Sequence, residues 1–481
     1  MNSSFLLRDI RRFSILAGDR VQKRVKCGAY DTSHGGHSPR TISSHSPSHP
    51  PKLISTSHLL DEERVPWYEE NRFYPAKPGE VLAERFQILV KIGYGSSSTT
   101  WLARDIRKMY VTFTILSLAC VLKITSDFND GEFVAALKIN NCEGAVSERE
   151  LEIEEHIAKS GSSHGGRALL RTHLEYFEVE GPRGKHLCLA YPPMREPLWR
   201  FQRRFEDSVI PFPLLKVYLL VLLKALDCLH TACDLKLEHI MMPFEDGEVL
   251  SGFLNQRLEQ PAEYKIDAVG RHVFRHDSDF GDLRRSWMSM TPHIVDFGSS
   301  LQLHGETGRG LFPIQPNHYR APEVTLGFPW NRSADIWSLG TLIWDMAQNT
   351  ELFQQAQDSN GNYDSKAHLA EMIALLGPPP PGFIEASHST LLLKWPQKIK
   401  IYGGELCENA MEMFGGPFFD DDGKFLHEHL IPDRKIEDTL PLLEEKDRTE
   451  LLSFAKKMLT WDPEKRATAR ELLEHPFLKL E

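Results

Sequence analysis

The chain has 481 residues, a formal net charge of -11 and a hydrophobic fraction of 41%, including 9 Trp and 26 Phe. This apolar content is enough for a large core, so most of the chain is expected to be globular. The acidic balance argues against direct nucleic-acid binding, which requires a basic face. The 7 Cys contain no C-x-x-C pair, which argues against a zinc site and favours a reducing compartment, the cytoplasm or the nucleus.

The N-terminal part of the sequence differs from the rest. Residues 31–58 consist mainly of Ser, His, Pro and Gly, so we predict a disordered tail over 1–60, followed by a lead-in segment over 61–80. The first twenty residues are rich in Arg like an organelle-targeting sequence, although Asp9 and Asp19 argue against this interpretation. The apolar run from Val111 to Leu122 is shorter than the roughly 20 residues of a membrane span, so no membrane association is expected.

Two regions of different secondary structure follow. The segments ERFQILVKIGYG, STTWLARD and AALKIN predict strands, and SERELEIEEHI predicts a charged helix. After Pro197 the pattern becomes helical, and PLLKVYLLVLLKALDCLH is apolar nearly all round, as in a helix buried inside a lobe. We therefore expect a small strand-rich lobe over 81–194 and a larger helical lobe over 195–481.

A glycine-containing loop connects the first two long predicted strands. Glycine lets a backbone approach phosphate groups without an intervening Cβ atom, and small Ser residues keep such a turn open. On its own, a G-x-G pair is also typical of an ordinary hairpin. The nucleotide-binding candidates of this loop are Ile92, Gly93, Tyr94, Gly95, Ser96 and Thr100.

A lysine on the following strand is the candidate phosphate contact. Lys138 ends the strand segment AALK, and Glu150 lies on the predicted helix behind it, where its carboxylate can hold the lysine in place. Lys123 in CVLK is an alternative that lies closer to the glycine loop. We favour Lys138 because Glu150 follows it at a suitable distance.

Several motifs then occur in a fixed order. Asp296 opens D-F-G, where a carboxylate at a strand end suits Mg²⁺, and A-P-E ends at Glu323, D-x-W-S-x-G starts at Asp335, and W-D-P-x-x-R ends at Arg466. This series resembles the eukaryotic-type protein kinase superfamily over residues 81–480. The resemblance implies an α+β bilobal protein kinase-like fold, with a small antiparallel N-lobe sheet, one main N-lobe helix and a mostly α-helical C-lobe.

The same resemblance implies specific roles. ATP and Mg²⁺ would bind between the lobes, with adenine against the connecting segment that contains Met194. Glu323 would pair with Arg466, and Asp335 would anchor the catalytic loop. The segment EMIALLGPPP, Arg320 before A-P-E and an insertion over 243–292 resemble divergent fungal members of the serine/arginine-rich protein kinases. This narrower resemblance implies a protein substrate of the Arg/Ser-rich splicing type. We also expect the protein to be a monomer.

The catalytic loop departs from the kinase pattern H-x-D-x-K-x-x-N. Asp234 matches the base that accepts the substrate proton and Lys236 the group that stabilises the phosphoryl oxygens, but His239 stands at the Asn metal position and no His precedes Asp234 at the usual place. Histidine is a poor ligand for Mg²⁺. Two hypotheses therefore remain: an active serine/threonine kinase, and a pseudokinase that acts as a nucleotide-binding or scaffold module.

A second departure is an apolar insertion over 108–133, in a place where exposed loops are usually polar. Together with the short catalytic loop, it is also consistent with a retained intron and a clipped exon.

Overall fold

The computed structural model describes residues 50–65, 68–107, 133–159, 164–229, 235–284, 287, 290–301, 303, 308–400 and 404–479. Some features singled out in the sequence lie outside these ranges: residues 1–49 of the predicted tail, Asp234, and all but the last residue of the 108–133 insertion, which includes Lys123.

The N-lobe is built on a six-stranded antiparallel sheet, β1 (Val81–Leu82), β2 (Phe86–Tyr94), β3 (Ser98–Asp105), β4 (Phe133–Asn140), β5 (Glu175–Gly181) and β6 (Gly184–Tyr191). The strands lie in the order β1-β2-β3-β4-β6-β5. Because side chains alternate along a strand, Trp101 and Leu137 enter the core on one face. Lys138, which pairs with Thr100 of β3, projects from the opposite face, toward the cleft.

Helix α1 (Ala145–Lys159) packs beside this sheet. Its buried positions include Glu150, Ile153, Glu154 and Ile157, which follow helical spacing and therefore form one face. The charged residues between them lie on the outer side. The helix thus carries two carboxylates into the interior, one of which is the predicted partner of Lys138.

The C-lobe is mainly helical. Its helices, together with the one in the insertion, are α2 (Leu198–Gln202), α3 (Phe212–Cys228), α4 (Gly247–Glu259), α5 (Pro322–Thr325), α6 (Ser333–Gln348), α7 (Ser365–Leu376), α8 (Pro381–Thr390), α9 (Ala410–Phe414), α10 (Glu445–Met458) and α11 (Ala469–Leu473). The remaining strands are β7 (Glu196–Pro197), β8 (Ile240–Met242), β9 (Tyr264–Ile266), β10 (His272–Phe274), β11 (His293–Ile294), β12 (Ile399–Lys400) and β13 (Leu406–Cys407).

Helix α3 lies at the centre of the C-lobe core, as its apolar sequence predicted. The helical stretch Glu206–Cys228 is, among the described residues, the one long and apolar enough to cross a membrane, and 67% of its most apolar window is buried within the protein. The core helix of a globular lobe has the same composition, so this stretch carries no further conclusion.

The insertion over 243–292 packs in a place that chain order did not indicate. The sequence assigned it to the C-lobe, but Phe274 and Tyr264 join the core on one face of the N-lobe sheet. Helix α4 packs on the other face, where Phe253 belongs to a cluster with Leu89 and Leu102. The first part of the insertion therefore covers N-lobe apolar surface, which differs from the expected domain division, whereas its last part, including Trp287, packs in the C-lobe core as expected.

The predicted tail also needs correction at its C-terminal end. The edge of strand β9 that does not pair with β10 pairs with the tail. The backbone N of Tyr264 donates to Lys52 O (3.0 Å), and its carbonyl O accepts from Ile54 N (2.8 Å). Lys52 also forms an ion pair with Glu263 (2.7 Å), and Leu60 is buried. Residues 50–60 are thus ordered, because the insertion supplies backbone partners that the tail composition alone does not reveal.

A buried ion network joins the lead-in segment, the insertion and strand β2. Glu62 accepts from Lys91 and, at 2.8 Å, from Arg271. All three side chains are at most 6% exposed. Lys91 O also accepts from Asp277 N at 2.9 Å, and the ring of Tyr94 lies edge-on to His276. The segment before the glycine loop is therefore held from two sides.

Candidate active site

Three of the predicted site residues lie together in the cleft between the lobes. Lys138 Nζ donates to Glu150 Oε1 at 2.6 Å and Oε2 at 2.9 Å. The same ammonium lies 3.2 Å from Asp296 Oδ1. Glu150 is 1% exposed and Lys138 16%, whereas 42% of the Asp296 side chain remains exposed. The buried carboxylate of Glu150 thus holds the lysine, and the carboxylate of Asp296 remains accessible to solvent.

The charges in this group stabilise one another. Lys138 holds the pKa of Asp296 well below its usual range, against the opposing effect of burial, and His239 adds to the lowering. Burial alone would lower the pKa of Lys138, but Asp296 and Glu150 together raise it above its ordinary value. At neutral pH the site therefore holds a cationic lysine beside an ionised aspartate.

The D-F-G segment has an unusual backbone. Asp296 has φ 61°, a left-handed conformation that is uncommon for a residue other than glycine and tends to cluster at functional sites. Its Oδ1 atom accepts from Gly298 N at 3.4 Å. Strand β11 ends two residues before Asp296 and pairs with β8, which follows the catalytic loop. The two sequence-distant motifs are joined in this way.

The described part of the catalytic loop lies beside Asp296. A short 3-10 turn over Leu237–His239 brings His239 Nε2 to 3.5 Å from Asp296 Oδ2. Lys236 immediately precedes this turn and is half-buried. The roles predicted for Asp234 and Lys236 stay predictions, whereas the position of His239 next to the metal-binding candidate is observed.

The glycine loop joins β2 and β3 in a hairpin whose register shifts between Lys91 and Gly93. A Cβ atom added at Gly93 would meet its nearest neighbour, Thr100, at 3.7 Å, and one added at Gly95 would meet Ser98 at 3.9 Å. Both distances are normal contacts, so the fold itself does not require glycine at either position. Bare backbone here instead suits the close approach of a ligand such as a phosphate chain.

An apolar surface adjoins this loop. Ala136, Leu189 and Tyr191 form a small cluster, and Ile92 packs against it. Met194 is buried in the connecting segment after β6, at 7% exposure. Ser96 and Thr100 complete the loop, the former exposed and the latter half-buried.

These residues fit ATP and a divalent metal ion. Lys138 supplies a fixed cation, the glycine loop supplies open backbone, and the cluster around Ala136 supplies an apolar surface for a base. The accessible oxygens of Asp296 are the kind of ligand that a hard divalent cation prefers. The imidazole of His239 fits such a cation poorly. The fold and this cleft define a protein kinase-type nucleotide site.

The sequence did not indicate the residues behind Glu150. Tyr191 and Glu154 are buried against it, and Arg171 stacks on the tyrosine ring. Glu154 follows Glu150 by one helical turn, and Tyr191 ends an apolar strand with a hydroxyl group. These two patterns are the sequence signals from which both residues could have been predicted.

The chain is similar to several known protein kinases. The sequence model of the protein kinase domain matches residues 285–478. An Aspergillus fumigatus serine/threonine protein kinase is 31% identical over 428 residues, covering 89% of this chain and 92% of the relative. The serine/threonine-protein kinase SRPK of Physarum polycephalum is 27% identical, covering 87% and 91%. Human dual specificity protein kinase CLK2 is 25% identical, covering 83% of this chain and 65% of its own.

The chain belongs to the serine/threonine protein kinase family and resembles the SR protein kinases. A crystal structure of another kinase domain superposes with a TM-score of 0.56 at 19% identity, over 85% of this chain and 100% of the other. That match supports the bilobal fold. Membership of the family implies the use of ATP and a divalent metal ion and a protein as substrate.

Proposed function

We propose that this protein transfers the γ-phosphate of Mg·ATP to serine in Arg/Ser-rich protein segments. The observation that carries the substrate class is a group of carboxylates beside the catalytic loop. Asp345 on α6 is mostly enclosed, and Glu351 and Glu238 lie close enough for their charges to act on it. Glu238 lies on the same short turn as His239, so this acidic group adjoins the expected position of the substrate.

Glu351 is paired with His318 (2.5 Å), so Asp345 is the member of the group that is incompletely satisfied by the described residues. Asp345 Oδ1 accepts from Tyr319 at 3.2 Å, whereas its buried Oδ2 has no hydrogen-bond partner among the described residues. Burial, followed by the charge of Glu351, raises the pKa of Asp345 to about 8. At pH 7 this carboxyl group is therefore mostly protonated, and a cation placed beside it would favour its ionised form. A guanidinium is suited to the role because it donates several hydrogen bonds in a planar fork.

The phosphoryl transfer itself uses the residues of the cleft. Lys138, held by Glu150, would contact the α- and β-phosphates, and Asp296 would hold the metal ion. Bound Mg²⁺ supplies neutralisation of charge on the β- and γ-phosphate oxygens. Asp234 and Lys236 retain their predicted roles as base and as stabiliser of the phosphoryl oxygens. Positioning and charge stabilisation are the main contributions that a protein makes to this reaction.

The test is a rate comparison on peptides with one serine. The parent peptide carries Arg on both sides of the serine, and its partners replace every Arg by Lys or by Ala. We expect the Arg peptide to accept phosphate. The value of kcat/KM for the Lys peptide should be about tenfold or more lower than that for the Arg peptide, because Lys cannot make the bidentate contact. Asp345→Asn should reduce this preference. Asp421→Asn, which removes an exposed carboxylate in a surface turn, should leave it unchanged.

The pseudokinase hypothesis gives a different result. If Mg·ATP raises the melting temperature of the protein but no peptide accepts phosphate, the scaffold function replaces the proposed one. If transfer occurs equally to Arg and Lys peptides, the catalytic part of the proposal holds and the substrate class does not.

A further inference from the structure

Two carboxylates are buried one turn apart on helix α1. Glu150 and Glu154 are 1% and 0% exposed, and they occupy positions i and i+4 of the same helix. Like charges at this spacing destabilise a helix, and the removal of each from water adds a larger cost. Lys138 contacts Glu150. The arrangement therefore requires further hydrogen-bond donors close to Glu154.

Tyr191 supplies one donor at the point between the two carboxylates. Its hydroxyl lies 2.9 Å from Glu154 Oε1 and 3.3 Å from Glu150 Oε1. Tyr191 is the last residue of β6, pairs with Ala136 of β4 and is 4% exposed. The hydroxyl thus links the segment that connects the lobes to the helix that carries Glu150.

Two further residues hold this arrangement in place. The backbone N of His173 donates to Glu154 Oε2 at 2.6 Å, and the Nδ1 atom of the same histidine lies 2.8 Å from that oxygen. The guanidinium of Arg171 lies 4.4 Å from the centre of the Tyr191 ring. Arg171 also donates to Pro192 O through its side chain (2.9 Å) and to Ile294 O through its backbone (2.9 Å). Ile294 lies two residues before Asp296, so both sides of the site share one support.

We propose that the hydroxyl of Tyr191 is a positioning group that fixes Glu150, and through it Lys138, for phosphate binding. This inference rests on the proposed use of ATP at this site. Tyr191 contacts neither Lys138 nor Asp296 through any described hydrogen bond, so its effect passes through the two glutamates. Without the hydroxyl, Glu154 Oε1 loses a hydrogen-bond donor. A shift of helix α1 that brings both carboxylates closer to water then becomes more favourable.

The chain contains a matched comparison residue. Tyr218 on α3 is 1% exposed, and its hydroxyl has no hydrogen-bond partner among the described residues. Tyr218→Phe and Tyr191→Phe remove the same atom from equally buried rings. Packing alone therefore predicts similar results for the two variants, whereas a positioning role predicts an effect of Tyr191→Phe only.

The experiment compares Tyr191→Phe, Tyr218→Phe, Glu154→Gln and the double variant Tyr191→Phe/Glu154→Gln in the full chain. We expect Tyr191→Phe to lower kcat/KM for ATP about tenfold, the effect of one hydrogen bond to a charged group, mainly through KM. Amide exchange of residues 145–159 should become faster. Tyr218→Phe should change neither. In the Glu154→Gln background the Tyr191→Phe change should shrink to about twofold, because the acceptor charge is already absent.

Three results would overturn the inference: equal effects of the two tyrosine variants, a loss in kcat/KM that is the same in both backgrounds, or unchanged exchange in 145–159. Amide exchange does not depend on phosphate transfer. If the wild-type protein transfers no phosphate, the proposed function fails, while the exchange comparison still decides whether Tyr191 holds α1.

Discussion

Arg466 and Glu323, which are 143 residues apart in the chain, form a fully buried bidentate ion pair at the base of the C-lobe. Arg466 donates to the two Glu323 oxygens at 2.7 and 2.8 Å, and both side chains are 0% exposed. Removal of one partner leaves an uncompensated buried charge. We expect Arg466→Ala to lower the free energy of unfolding by about 3–5 kcal/mol, measured by chemical denaturation.

A surface pair provides the control for this prediction. Arg309 lies 2.7 Å from Glu464, with side chains 40% and 58% exposed. Arg309→Ala should change the free energy of unfolding by at most about 1 kcal/mol. Equal effects of the two substitutions would show that the buried pair contributes no more than a surface contact.

The buried network around Glu62 predicts where the folded unit begins. A variant lacking residues 1–49 should unfold with unchanged free energy. A variant lacking residues 1–64 loses Glu62 and Glu63, which removes these carboxylate partners from Lys91 and Lys265 and leaves Arg271 with Asp267. We expect a loss of about 3–5 kcal/mol or more for the longer deletion, measured by chemical denaturation.

Point substitutions separate this effect from the loss of chain. Glu62→Ala should give a loss of similar size. Glu69→Ala, which removes a carboxylate that is 51% exposed and paired with Arg72, should cost at most about 1 kcal/mol. Unchanged stability after the longer deletion would mean that the lead-in segment is dispensable for the N-lobe.

The sequence predicted the parts of the site that have strict chemical requirements. Lys138, Glu150 and Asp296 stand in motifs with fixed order, and the structure brings all three into one cleft. Glu323 and Arg466 are paired as predicted. In each case the function demands a particular charged residue at a particular place, so the residue type itself carries the information.

The sequence did not predict the long-range contacts in which one part of the chain packs over the apolar surface of another. The insertion over 243–292 shows an apolar pattern, but its pattern does not state that Phe274 covers the N-lobe sheet. Similarly, Tyr191 and Glu154 are ordinary residues of a strand and a helix until the fold brings them together. Long-range packing of this kind depends on the shape of both surfaces, which local periodicity does not encode.

The position of His239 predicts an unusual metal preference. His239 Nε2 lies 3.5 Å from Asp296 Oδ2, and imidazole suits Mn²⁺ better than Mg²⁺. We expect His239→Asn to lower the Mg²⁺ concentration that gives half-maximal phosphate transfer by about threefold or more, because it restores an oxygen ligand. Initial rates over a series of Mg²⁺ and Mn²⁺ concentrations measure this.

Two comparisons make that prediction decisive. The ratio of the rate with Mn²⁺ to the rate with Mg²⁺ should fall in His239→Asn. The variant His429→Asn, at an exposed histidine, should keep the wild-type ratio. An unchanged or higher Mg²⁺ requirement in His239→Asn would place His239 outside the metal site.

The acidic group at Asp345 predicts a pH dependence of stability. Burial and Glu351 raise the pKa of Asp345 to about 8, whereas an aspartate in an unfolded chain titrates near 3.9. Between about pH 4 and pH 8 the folded state therefore binds a proton at Asp345 that the unfolded state has released. The free energy of unfolding falls as pH rises through this interval, and Asp345→Asn removes this contribution. Calorimetry from pH 5 to pH 8 should show a steeper fall in melting temperature for the wild type.

The same carboxylate predicts proton release when an Arg-rich peptide binds. A guanidinium next to Asp345 favours its ionised form and lowers its pKa, so binding at pH 7 should release up to one proton per site. Titration calorimetry in buffers of different ionisation enthalpy measures this number directly. We expect no release in Asp345→Asn and little with a peptide in which Ala replaces Arg. Equal release by the wild type and Asp345→Asn would show that the arginine binds elsewhere, and would separate the substrate preference from this acidic group.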